Sequence, residues 1–109
     1  DAIAAYIGGA TYKDEQIAET MKQCYNETKY VLDPHGACGY RALKEQLKPG
    51  EVGVFLETAH PAKFKEKVDS ILESDIEIPA RLAVFMKGEK KSIQMTKDFD
   101  AFKNFLMNE

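Results

Sequence analysis

The run Val52-Gly53-Val54-Phe55-Leu56 is apolar without a break and is bounded by turn signals, Lys48-Pro49-Gly50 before it and His60-Pro61 after it. Such a stretch is expected of a strand covered on both faces, as in a parallel sheet with helices above and below. The segments around it have a helical period. Asp14 to Thr28 carries Ile17, Met21, Cys24, Tyr25 and Thr28 at helical spacing, with Thr11 and Asp14 as candidate caps. From about Gly36, the positions Ala37, Tyr40, Leu43 and Leu47 predict a second helix that ends at Lys48-Pro49-Gly50. Pro61 suits the first turn of a third, running to about Ser74 with Phe64, Val68, Ile71 and Leu72 on its apolar face. "RLAVFM", residues 81–86, reads as strand or helix; Pro79 before it and Gly88 after it favour a short helix. Asp98 is placed to cap a last helix bearing Phe99, Phe102, Phe105 and Leu106. Two more strands are expected at residues 29–33, "KYVLD", and around Ile93 and Met95 in "KSIQMT". Strands alternating with helices predict an α/β fold class: a small three-layer, parallel-type sheet fragment with flanking helices, in a single domain over residues 1–109.

A chain of 109 residues, 44% hydrophobic and 30% charged, can bury one core. Its net charge of -3, with both signs interspersed, gives no basic stripe for nucleic acid or an anionic membrane. No apolar run approaches a membrane span, and the first residues lack the pattern of a signal peptide, so a cytoplasmic location is expected. Cys24 and Cys38 read as free thiols in a reducing compartment. With His35 and His60 they match no common zinc spacing, so no metal is expected. The start at Asp1, on an Ala/Gly-rich stretch without Met, reads as a truncation.

In an open α/β sheet, ligands sit beyond the carboxyl ends of the strands. Both unusual segments of this chain fall there. "DPHGACG" follows the first expected strand and opens a helix, while "ETAHP" follows the second and opens another. If the strands are neighbours, Asp33, His35, Gly36, Thr58 and His60 converge on one rim, where helix amino ends present unpaired N–H groups to an anion or cofactor. The competing account makes Asp33 and Thr58 caps, the histidines solvated loop residues and the glycines turn chemistry. Local spacing leaves the two open.

"YVLDPHGACGYRAL" followed by "FLETAHPAKF" resembles the carboxyl-terminal part of threonine synthases, pyridoxal-phosphate (PLP) enzymes of the tryptophan-synthase β-like, fold type II class. The preceding "ATYKDEQIAETMKQCYNETKYV" is similar to that family's helix before the motif. The resemblance implies an enzyme that converts O-phospho-L-homoserine and water to L-threonine and phosphate. It implies Thr58 beside the pyridine nitrogen of PLP, and Asp33, His35, Gly36, Ala37 and His60 as neighbours of the cofactor, with the role of His60 open between lining the site and capping its helix. The family's Schiff-base lysine and phosphate-binding loop are expected upstream, in an amino-terminal part of the same polypeptide that is this segment's partner. No catalytic residue is then expected in this chain: Lys63 reads as a surface lysine and "IGGA", residues 7–10, as a turn. A segment so truncated is expected to be inactive alone, to expose an apolar patch and to self-associate. The alternatives are another fold type II lyase, of the serine/threonine dehydratase kind, and a self-contained module that binds a small anion.

Overall fold

The computed structural model describes residues 2–108, and these divide into two compact units at Pro79/Ala80. The first unit holds α1 (Asp14–Thr28), α2 (Pro34–Gln46), a 3-10 turn (Pro61–Phe64) and α3 (Lys65–Leu72). α1 packs against both α2 and α3. Met21 and Cys24 of α1, Leu32 of the connection, Ala37 of α2, and Val68 and Ile71 of α3 are buried together. All but Leu32, which falls in the stretch read as a strand, are apolar positions whose spacing predicted the helices. α1 is capped differently from expectation: its N-cap is Lys13, whose N–H donates to the Gln16 side chain at 3.0 Å. α2 begins at Pro34, two residues before the expected start, because Pro34 fits the first helical position and Asp33 caps it.

Arg41 fastens α2 to α1. Its guanidinium donates to the Gln16 carbonyl (3.1 Å), Glu19 (3.1 Å), Thr20 (3.4 Å) and Glu45 (2.9 Å), and lies over the Tyr12 ring. The Tyr12 hydroxyl closes the set by donating to Glu45 at 2.6 Å. On the other side, Lys65 donates to Asp69 and the Ile76 carbonyl, both at 2.7 Å, and to Asp75, holding the chain after α3 against that helix.

The second unit contains α4 (Ala80–Met86) and α5 (Phe99–Met107). Asp98 caps α5, accepting from the Ala101 N–H at 2.8 Å. Val84, Phe85, Phe99 and Met107 are exposed.

The α/β expectation is corrected here: among the described residues there is no strand and no sheet, and the regular structure is all helical. Residues 29–33, 52–56 and 91–96 form no strand ladder, and a strand exists only where a neighbour supplies inter-strand hydrogen bonds. The cover expected on both faces of residues 52–56 is also corrected. Gly53, Phe55, Glu57 and Ala59 are half-buried, while Val52, Val54 and Leu56 are 95%, 84% and 78% exposed. That alternation is the period of extended chain with one face packed and one bare.

The packed face follows α2 in register. A Cβ on Gly53 would overlap the Leu43 side chain, Phe55 meets Tyr40 edge-on with ring centroids 5.5 Å apart, and a Cβ on Gly36 would strike the Glu57 carboxyl. Positions 53, 55 and 57 thus meet 43, 40 and 36 in turn, so the segment runs antiparallel to the helix. Two extended residues span roughly 6.6 Å and one helical turn about 5.4 Å, which is why the two periods stay matched over this short length. Among the described residues, no helix is long and apolar enough to cross a membrane.

Candidate functional site

The register along α2 delivers Glu57 to the amino end of that helix. There the two motifs are joined: the Asp33 N–H donates to Glu57 Oε1 at 2.8 Å. Asp33 Oδ1 accepts from the His35 N–H (2.8 Å) and the Gly36 N–H (3.4 Å), two of the donors that a helix leaves unpaired at its start. The same oxygen lies 3.1 Å from His35 Nδ1, and the His35 ring is tilted against Phe64 with centroids 5.1 Å apart. Asp33 and Ala37 are fully buried and Gly36 is buried with them. His35 keeps most of its side chain in solvent.

Thr58 follows Glu57 and is exposed, with the parity of the bare positions Val52, Val54 and Leu56. It supplies no cap. The 3-10 turn is capped by His60, whose Nδ1 accepts from the Ala62 N–H at 3.1 Å. Thr58 also makes no hydrogen bond among the described residues. Asp33, His35, Gly36 and Glu57 are therefore in mutual contact, and Thr58 and His60 are neighbours of that cluster in the chain. Lys63 is exposed in the turn.

Beside the cluster lies an open cavity of about 360 Å³, walled by Tyr30, Glu57, His60, Pro61, Ile76 and Glu77 among others. Burial works against charge on Asp33. The side-chain interaction with the Glu57 carboxyl and the hydrogen bonds from the His35 and Gly36 N–H groups outweigh it and hold the Asp33 carboxyl below the usual range. Burial first, and then the side-chain interaction with the Asp33 carboxyl, pushes Glu57 up to about 7, against the Asp33 N–H, which favours its ionised form.

Glu57 is the member of this cluster that the sequence reading passed over. Its one local signal is that it shares the parity of Gly53 and Phe55. Gly36→Ala is expected to cost about 2 kcal/mol, because the displaced Glu57 leaves the buried Asp33 N–H unpaired. With Glu57→Ala as the second change, the loss should fall short of the sum by about 1 kcal/mol or more, measured by denaturant unfolding of the four forms.

Residues 36–106 match the family described as Threonine synthase, C-terminal. Over 102 residues the chain is 43% identical to threonine synthase of Escherichia coli (strain K12), covering 94% of this chain and 24% of that protein. It is 42% identical over 101 residues to the threonine synthase of Serratia marcescens, covering 93% of this chain and 23% of that one. The crystal structure of the Escherichia coli enzyme superposes with a TM-score of 0.83 at 43% identity, over 94% of this chain and 24% of that chain. PLP-bound threonine synthase from Brucella melitensis superposes with a TM-score of 0.76 over 98% of this chain and 23% of that chain; at 24% identity this is a likeness of fold. The chain spans about a quarter of the length of the curated relatives it matches. On the match over residues 36–106, which begins at Gly36 in the first turn of α2 and takes in the Thr58 segment, the chain belongs to the threonine synthase family, in its carboxyl-terminal part.

Proposed function

We propose that this chain is the carboxyl-terminal part of a cytoplasmic threonine synthase, which converts O-phospho-L-homoserine and water to L-threonine and phosphate with PLP. The observation that carries the reading is the junction of the two motifs through Asp33 and Glu57, with the next hydroxyl, Thr58, unpaired and facing outward. Identity of 43% along 94% of the chain to a threonine synthase supports it.

The side chains fit the nitrogen end of a pyridine ring. Thr58 offers a free hydroxyl on an open face. His35 and His60 have exposed side chains and serve as the lining residues. Asp33, Gly36 and Ala37 are buried and act from beneath, by fixing the entrance of α2. When bound, PLP supplies an electron sink for the carbanions of the reaction. The task of this chain is to bind and orient. Thr58 would offer its hydroxyl to the ring nitrogen without placing a charge beside it, and the apolar face of Val52, Val54 and Leu56 would pack against the amino-terminal part and exclude water. The lysine for proton transfer and the phosphate loop belong to that upstream part.

The test is an assay of the full-length protein with O-phospho-L-homoserine and PLP. Threonine and phosphate should appear in equal amounts. Homoserine with phosphate would mean simple phosphate hydrolysis, and no product would mean another substrate; either result overturns the reading.

A further inference from the structure

Two carboxyl groups meet at the amino end of α2, and each keeps one oxygen buried without a donor: Asp33 Oδ2 and Glu57 Oε2. Buried polar atoms are almost always paired, and two adjacent carboxylates cannot both ionise out of water without strong repulsion. A single proton between those two oxygens satisfies both. We propose that Asp33 and Glu57 share one proton, and that this acid pair is a clasp joining the α2 entrance to the extended segment and positioning Thr58; the last step rests on the function proposed above.

The other contacts say which side holds the proton. Asp33 Oδ1 already faces the His35 and Gly36 N–H groups and His35 Nδ1, a set of donors suited to an ionised carboxylate. Glu57 Oε1 takes the Asp33 N–H, so its second oxygen is the one that carries the hydrogen. The lowered Asp33 and raised Glu57 agree with this division. Gly36 completes the clasp by leaving the carboxyl the room that a Cβ would take. The titratable groups facing the pair are His35 on α2, Tyr30 on the segment before it, and His60 and Glu77 across the adjoining cavity.

Glu57 binds its proton more tightly in the folded protein than in the unfolded chain. The stability it contributes is therefore complete below the unfolded carboxyl range and is lost as pH rises through about 7. Glu57→Gln keeps a neutral group of the same shape, with an oxygen for the Asp33 N–H and a donor for Asp33 Oδ2.

In the full-length protein, the melting temperature of the wild type should fall between about pH 5.5 and about pH 8.5 more steeply than that of Glu57→Gln. At the lower pH the wild type should show the infrared carbonyl band of a buried protonated carboxyl, and Glu57→Gln should lack it. Equal pH slopes, or a band unchanged by the substitution, would overturn the shared proton. Turnover separates clasp from bystander: Glu57→Ala should fall about tenfold below Glu57→Gln per folded molecule, and equal turnover for the two would overturn the positioning role. Melting temperature and infrared band do not depend on threonine formation, so they decide the clasp even where the proposed activity fails.

Discussion

Thr58→Val in the full-length protein is expected to lower turnover about a hundredfold, which corresponds to about 3 kcal/mol of lost transition-state stabilisation from one positioned hydrogen bond. The change keeps the shape of the side chain and removes its oxygen. Thr58→Ser keeps the oxygen and should retain most of the activity. The structure sharpens this expectation, because the competing role for Thr58 has another owner. His60 caps the turn at Pro61, and Thr58 makes no hydrogen bond among the described residues. Valine should therefore shift stability by less than the ~1 kcal/mol typical of a lost cap. Melting temperature and turnover, measured on both variants, separate the effects; wild-type turnover in Thr58→Val would remove Thr58 from the site.

The chain by itself should retain no PLP after gel filtration and form no threonine. It spans about a quarter of its relatives' length, and the function proposed above assigns the lysine and phosphate loop to the remainder. Its packed face is complete along α2, but Val52, Val54 and Leu56 lie bare on the other side. An extended segment with a bare apolar face and unpaired backbone is a docking edge, which the function proposed above assigns to the amino-terminal part of the same polypeptide. Left alone, that edge should drive self-association in light scattering. A stoichiometric visible band on mixing with PLP, abolished by replacing Lys63, would contradict the expectation.

The helices were legible because their signals are local. α1 has the bounds that periodicity predicts, Pro61 opens a helical turn, and Asp33 and Asp98 cap as a short acidic side chain before a helix should. The ambiguous stretch at residues 81–86 lies within α4, where flanking proline and glycine decide between strand and helix. The sheet was not legible in the same way. Residues 52–56 do read as extended chain, and their alternating burial agrees, but pairing is a property of a neighbouring segment that no local pattern contains. At the site, Asp33 and Thr58 were visible as polar residues at helix entrances. Glu57 was hidden because its meaning comes from Gly36, distant in sequence, which has no side chain to announce the contact. Arg41 was hidden for a related reason: apart from Glu45, its hydrogen-bond partners are a carbonyl, a carboxylate and a hydroxyl on another helix.

The function proposed above has the outward hydroxyl of this chain meet the ring nitrogen of PLP. It is tested most directly by the ¹⁵N resonance of ring-labelled PLP bound to the full-length protein, compared between wild type and Thr58→Val. The resonance should move when the hydrogen bond is removed and return toward its wild-type position in Thr58→Ser. Superimposable resonances in all three proteins would contradict it.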